Sequence, residues 1–247
     1  MKANKTNPKR NSSTGLAVLS GIVILAGAVI VALTVVRQLL ATEYAWLIMV
    51  ALGLLAASMS TIEIPGVKAR VVLGDVVTFA CAALFGPSIG VIAAAADAAV
   101  TSLRITRSPR KFLYNVATCA ISMTVAGSVT KAAFPLFGTG IGQLSIANMI
   151  TAVVLLTICY FIISNLLIAG YIAVAKGEGI FKVWRESFPC ASLSYIASGI
   201  SALVAYLLIG QIGYMVFLIL IGEIVLVFQF YRAYFKPTES VYLQNNS

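Results

Sequence analysis

The sequence predicts an all-α fold, a polytopic transmembrane bundle of about eight helices, on three observations. First, 60% of its 247 residues are hydrophobic and only 10% are charged, whereas soluble domains carry about 25% charged residues. Second, apolar runs recur at about the 20-residue length that one helical crossing of a bilayer requires. Third, the Lys and Arg residues fall mostly in the short gaps between these runs. Lipid must therefore cover part of the protein surface.

The first two spans follow a polar N-terminus. Residues 1–14 are polar and basic, which predicts a disordered cytoplasmic tail, and 15–235 form the predicted transmembrane domain. The first apolar run, Leu16–Val36, is longer than the 7–15 apolar residues of a signal peptide, so we expect it to be retained as a span. A second span is predicted at Tyr44–Thr61, and 236–247 form a short cytoplasmic tail.

The next apolar stretch, 71–103, is interrupted by Gly86 and Pro87. Proline lacks an amide donor and glycine relaxes the backbone, so a turn is expected there. The break predicts two short helices, Val71–Phe85 and Ser88–Leu103. They either both cross the membrane or form a re-entrant hairpin, and both alternatives return the chain to the same side.

Four further spans complete the count of eight. They are separated by a basic loop, an uncharged loop and a short turn. Apolar residues among the charges of Lys176–Pro189 predict a short helix lying at the membrane interface. The predicted spans are Phe112–Phe134, Ile146–Ala175, Ala191–Ile209 and Tyr214–Tyr231.

The distribution of positive charge predicts the orientation. By this assignment fifteen of the seventeen Lys and Arg residues lie on one side of the membrane; Arg37 lies on the other, and Lys131 lies within a span. Cationic residues are retained on the cytoplasmic side. We therefore expect a protein of the bacterial inner membrane with both termini in the cytoplasm. The net charge of +9 is explained by this topology, and no nucleic-acid partner is expected.

Several classes of chemistry lack the residues they need. The chain has no histidine, which excludes histidine-based acid–base catalysis and metal ligation. Its four cysteines form no C-x-x-C pair and read as small buried hydrophobes. No nucleophile-elbow, zinc-protease or P-loop motif is present. We therefore expect a non-catalytic protein without a metal or cofactor.

A few polar residues within the predicted spans are candidates for ligand binding. A charge at the centre of a membrane helix costs about 2.5–3.5 kcal/mol on insertion scales, so Asp75, Asp97 and Glu223 require an explanation. If the third to fifth spans pack together, Asp75, Asp97 and Asn115 share one depth and line a pocket open to the cytoplasm. Alternatively, Asp75 is stabilised by the dipole at a helix start, and Asp97 pairs with Arg104, two turns along the same helix.

The predicted cytoplasmic loops are the expected contact surface for anionic lipid and for a protein partner. Polybasic segments beside a membrane attract anionic headgroups, and an aromatic residue among charges favours the interface. The residues concerned are Arg104, Arg107, Arg110, Lys111, Trp184 and Arg185.

The pattern of several segments resembles the multispan membrane sensor region of bacterial signalling proteins. In that group HD-GYP or GGDEF domains, which handle cyclic di-GMP, usually follow the last span. The Gly74-Asp75 helix start and the turn at Gly86 are also similar to substrate-binding (S) components of energy-coupling-factor transporters, which usually have six spans. The segments that carry the resemblance are 71–79, 84–87, 107–115, 181–188, 194–195 and 231–235, with Asp97.

These observations predict a sensor or ligand-binding module that acts through a cytoplasmic partner. The resemblance does not extend to an output domain, because only about sixteen residues follow the last predicted span; the chain is either a stand-alone or a truncated version. The alternative is a small-molecule transporter, or its binding subunit with an energising ATPase as partner. Broken helices around a polar site are the general transporter pattern. The small molecule itself is unknown.

Overall fold

A computed structural model describes residues 8–40, 46, 47, 50, 51, 61–63, 70–72, 74–213, 215 and 222. For 8–13, 61–63, 70–72, 186–191 and 193, only the backbone is described. The predicted spans at 44–61 and 214–231 fall almost entirely outside these residues, as does Glu223. The count of eight spans and the position of the C-terminus therefore stay predictions.

Five helices of the described residues are long and apolar enough to cross a membrane. They lie in a multi-pass bundle in which sequence neighbours mostly pack side by side, as the apolar runs predicted. The five are α1 (Pro8–Leu39), α3 (Pro87–Ile105), α4 (Pro109–Ala133), α5 (Ile146–Lys176) and α6 (Ile180–Ile212), and a shorter apolar helix, α2 (Gly74–Phe85), precedes α3.

Helix α2 is too short to cross. Its 12 residues extend about 18 Å at 1.5 Å per residue, against about 30 Å of hydrocarbon. The predicted helix start at Val71 was wrong, because 70–72 form strand β2 (Arg70–Val72), paired antiparallel with β1 (Thr61–Glu63). Consecutive valines favour extended backbone, so the helix begins three residues later than hydropathy alone suggested.

Two other boundaries differ from the predictions. Helix α1 begins at Pro8, inside the segment predicted to be a disordered tail. The interfacial helix predicted within 176–189 is not separate, because α6 runs without a break from Ile180 to Ile212. Its described segment Ser194–Ile212 is long and apolar enough to cross a membrane, and the charged residues Lys182 and Arg185 lie in the first turns of the same helix.

Local sequence signals fix the ends of the central helices. Pro87 and Pro109 occupy the first turns of α3 and α4, where a missing amide costs no hydrogen bond. The turn before α3 needs φ of 94° at Gly86, a conformation open to glycine. Helix α5 ends at Gly177 with φ of 68°, a common left-handed helix stop.

The packing defines which ends of the helices share a side. Arg110 at the start of α4 contacts Ser20 of α1, and seven residues further along both helices Gly27 packs against Ala117. Helices α1 and α4 therefore run parallel. Gly15 of α1 also lies beside Val174 near the end of α5. The N-terminus, the basic α3–α4 loop and the α5–α6 turn thus share one side, called the inner side below. Its identity as the cytoplasmic side stays a prediction.

Helix α2 lies at the centre of the bundle, against α3, α5 and α6. Ten of its twelve residues are buried, including a run from Phe79 to Ala83 with no exposed surface. A helix that is apolar all round belongs in an interior. By contrast α1 presents Ile22, Leu25 and Leu33 outward, as expected of a lipid-facing helix.

Candidate functional site

The two aspartates predicted as site residues meet in the middle of the bundle. Asp75 lies in the first turn of α2, and the Asp97 carboxyl of α3 lies directly against Gly74. A Cβ atom at position 74 would collide with Asp97 Oδ1, so only glycine allows this approach. The two carboxyl groups are close enough to interact electrostatically.

The pair lies deeper than the sequence predicted. Asp97 is ten residues from Pro87 at the outer end of α3 and eight from Ile105 at its inner end, or about 15 Å and 12 Å along the axis. Asp75 was expected near the cytoplasmic start of the third span. Because α2 crosses only half the bilayer, its first turn instead lies near the mid-depth of α3.

Neither carboxyl has a hydrogen-bond or ion-pair partner among the described residues. Asp97 Oδ1 is fully enclosed and unpartnered. Arg104, the predicted partner, is exposed at the end of α3 and reaches neither aspartate. The positive end of the α2 dipole faces both carboxyls and offsets at most about 2 kcal/mol. That is less than the cost of even one membrane-buried carboxylate, about 2.5–3.5 kcal/mol.

Aromatic rings from three helices lie beside the pair. Phe79 follows Asp75 by one helical turn, Tyr160 is contributed by α5, and Tyr195 by α6. The ring centroids of Phe79 and Tyr160 are 5.3 Å apart, edge to face, and those of Tyr160 and Tyr195 are 5.7 Å apart. Asp75 lies within electrostatic range of both tyrosine hydroxyls. These five residues are called the acidic–aromatic site below.

Neighbouring polar groups hold the two tyrosines in place. The Tyr195 and Ser164 hydroxyls share a hydrogen bond of 3.3 Å, and the Tyr160 hydroxyl lies near the Cys119 thiol of α4. Phe161 packs against Tyr195 with centroids 5.4 Å apart. Tyr160 is only 1% exposed. The site is therefore built by α2, α3, α5 and α6, with support from α4.

Asn115 and Glu223 do not join this site in the described structure. Asn115 Nδ2 donates to Ser102 Oγ at 3.1 Å, five residues nearer the inner end of α3 than Asp97. It therefore ties α4 to α3 below the site. Glu223 lies outside the described residues, so its role as a ligand contact stays a prediction.

The predicted inner-side contact residues divide into exposed and engaged groups. Arg104, Arg107, Lys111 and Arg185 are exposed. Arg110 is half-buried and donates from Nε to Ser20 Oγ at 2.8 Å, so this side chain helps to hold α1 against α4. Trp184 is also half-buried and packs against a small cluster of α5 and α6 residues: Ala169, Ala173 and Val183.

The sequence reasoning missed Tyr160, Tyr195 and Phe79 as site residues. Tyrosines of membrane proteins concentrate at span ends, where the hydroxyl reaches water. Tyr160 and Tyr195 instead lie well inside α5 and α6. A hydroxyl at that depth needs a polar neighbour, and this was the signal that could have identified them.

A family match identifies this multi-pass bundle as a membrane-associated sensory domain. The MASE9 family model matches residues 19–238, and the chain belongs to this family. Neither a curated protein nor a solved structure matches it. Membership of a sensory family confirms the coarse prediction of a membrane sensor region, whereas the HD-GYP, GGDEF and transporter resemblances remain expectations.

Proposed function

We propose that this chain is the ligand-sensing module of a signalling system in the bacterial cytoplasmic membrane. A small molecule binds at the acidic–aromatic site, and a cytoplasmic partner reads the resulting change in helix packing. The observation that carries the proposal is the unpartnered Asp97 carboxyl beside Asp75, in the interior of a sensory-family domain. Groups so costly to bury are expected where they serve a function.

The geometry favours a signal directed to the inner side. The outer ends of α2 and α3 are closely packed against the α4–α5 loop through Gly86 and Gly138. The inner ends carry long, exposed cationic side chains instead. A ligand between Asp97 and Tyr195 would change the spacing of α3 and α6, and both helices continue from the site to the inner side.

The partner surface proposed from this route is the pair of inner segments around Arg107 and Arg185. Anionic lipid headgroups compete for the same cations, so the membrane surface itself sets how freely these segments move. In this proposal the module is non-catalytic and hands its signal to a separate cytoplasmic protein.

The first test examines what the purified full chain carries. Small molecules that survive purification in mild detergent are identified by mass spectrometry for wild type, Asp97→Asn and Glu178→Gln. Glu178 is a matched control because its carboxylate lies outside the apolar bundle, 3.7 Å from Lys182 Nζ. We expect a compound that wild type and Glu178→Gln retain and Asp97→Asn loses. Identical profiles in all three would contradict binding at this site.

The half-length of α2 is the observation that favours a transporter as the second candidate. Helices that end near the midplane beside a polar site are a general transporter feature. Uptake into proteoliposomes of the compound identified above separates the two functions. Transport that needs Asp97 and an added ATPase would support the second candidate, and binding without uptake would support the sensor.

A further inference from the structure

We infer that the ligand of the acidic–aromatic site is an organic ammonium ion. The inference rests on the proposed function only in assuming that the site binds a ligand. It adds the chemical class of that ligand. Three independent features carry it: the sign of the charge, the aromatic surroundings and the small number of oxygen ligands.

The acidic side chains of the site favour a positively charged ligand. The titratable side chains that the described helices place around it are Asp75, Asp97, Cys119, Tyr160 and Tyr195, and each of them is an acid. Among the described side chains, Arg104 is the cation of α3 and Lys131 that of α4 toward the outer end, and both are exposed at helix ends. A bound cation satisfies Asp97 Oδ1 and removes the repulsion between the two carboxyls.

The aromatic rings favour an organic cation over a bare one. Tyr195 lies within 5.4–6.5 Å, centroid to centroid, of Phe161, Tyr160 and Phe79. Cations bind over aromatic faces through the ring quadrupole, and aromatic cages recognise alkylated ammonium groups. Apolar rings also accept the alkyl groups of such a ligand, whose charge then meets the carboxyls.

The donor set is too small for a divalent metal. Among the described residues no group of three or more His, Cys, Asp or Glu side chains could hold a metal ion. Calcium takes six to eight oxygen ligands, and magnesium an octahedral set. Two aspartates surrounded by aromatic rings provide too few oxygen ligands for either metal. An ammonium group needs only a few acceptors for its charge and fits the remaining apolar surface.

The experiment uses ammonium ions and their uncharged isosteres as probes on the full chain in detergent. Choline is compared with 3,3-dimethylbutan-1-ol, and 1,4-diaminobutane with 1,4-butanediol. Binding is followed by isothermal titration calorimetry and by the thermal unfolding midpoint. We expect at least one ammonium ion to bind and its uncharged isostere not to bind. Failure of both ammonium ions at millimolar concentration would overturn the inference.

Variants identify where the probe binds. Tyr195→Phe keeps the ring and Tyr195→Leu removes it, so we expect Phe to retain the affinity and Leu to lose about fivefold or more. Asp97→Asn is expected to lose about tenfold or more, and Glu178→Gln to lose nothing. Since Tyr195→Leu keeps both carboxyls, it tests the site even if Asp97→Asn fails to fold. Equal affinity of Tyr195→Leu and Tyr195→Phe for the ammonium ion would overturn the claim that the aromatic ring contributes to binding.

Two outcomes separate this inference from the proposed function. If a neutral or anionic compound co-purifies in an Asp97-dependent manner and no ammonium ion binds, the site is a sensor site but the ligand class is wrong. If lowering the pH alone stabilises the chain and ammonium ions do not bind, a proton shared by Asp75 and Asp97 replaces the ligand. Either result overturns the inference.

Discussion

The outer and middle levels of the α2–α3 hairpin are packed in opposite ways. At the outer turn Gly86 lies against Gly138, and Gly90 lies so close to Ala82 that a Cβ would approach its side chain to 2.7 Å. At mid-depth, Gly74 provides space for a carboxyl group instead. Small residues bring backbones together at the first level and accommodate charge at the second. The outer turn holds the hairpin in place, and the middle level carries the groups that need a partner.

The largest expected effect is at the outer turn. Gly138→Ala introduces a Cβ that collides with the Gly86 backbone, at a φ of 72° that alanine rarely adopts. We expect a loss of about 3 kcal/mol, or about 6–10 °C in Tm, measured by thermal unfolding in detergent.

Gly142→Ala is the matched control for that change. Gly142 has a similar φ of 77°, but an added Cβ there would meet no atom within 4 Å. Gly142→Ala should lose only the stability that the unfavourable positive φ costs an alanine, about 1 kcal/mol. Equal losses in both variants would show that the close approach at the outer turn contributes nothing.

A second prediction concerns the middle level. Gly74→Ala should displace the Asp97 carboxyl and lower the affinity for any ligand of the acidic–aromatic site by about tenfold, with a loss of about 2 kcal/mol in stability. Gly21→Ala is the control, because Gly21 lies within α1 with no atom within 4 Å of an added Cβ. Unchanged ligand affinity in Gly74→Ala would show that binding does not depend on the close approach of Asp97 to Gly74.

A third prediction has the opposite sign. Asp97→Asn removes one of two neighbouring carboxyls that have no partner among the described residues, so we expect the ligand-free protein to gain about 1 kcal/mol, or a few degrees in Tm at neutral pH. Sites that bind ligands are commonly less stable than their neutralised variants. A lower Tm in Asp97→Asn would mean that the carboxylate is satisfied in the free protein.

The smallest effect is expected at the inner side. Arg110→Ala removes the hydrogen bond to Ser20 between α4 and α1, which should cost about 0.5–1 kcal/mol, because Ser20 keeps its bond to Leu16 O at 2.7 Å. Arg107→Ala, at an exposed position, should change Tm by less. Thermal unfolding in detergent compares the two variants. Equal Tm values for Arg110→Ala and Arg107→Ala would show that the Arg110–Ser20 hydrogen bond does not stabilise the packing of α4 against α1.

Hydropathy predicted the long helices well but not the short one. The ends of α4 and α5 lie within three residues of their predicted positions, because charged and proline residues mark them. The consecutive valines at 71 and 72 favour extended backbone only weakly, so hydropathy does not distinguish a strand at Val71 from the first turn of a helix. The pairing of β2 with β1 resolves it, and the paired residues of β1 lie seven to eleven positions earlier, outside the apolar run.

The sequence predicted the aspartates of the candidate site but not its aromatic residues. An aspartate inside an apolar run is conspicuous, so Asp75 and Asp97 were identified from the sequence. Their depth was not, since it depends on where α2 begins. Tyr160 and Tyr195 are separated from the aspartates by more than 60 residues along the chain. A single sequence does not encode such neighbours in any local pattern.

The short length of α2 has a consequence for biogenesis. A segment of 12 residues cannot be released into lipid as an independent crossing, since about 20 are needed. The three helices packed against it, α3, α5 and α6, are all synthesised afterwards. We therefore expect α2 to take its place in the bundle only after α5 and α6 are present, so that the order of assembly differs from the order of synthesis.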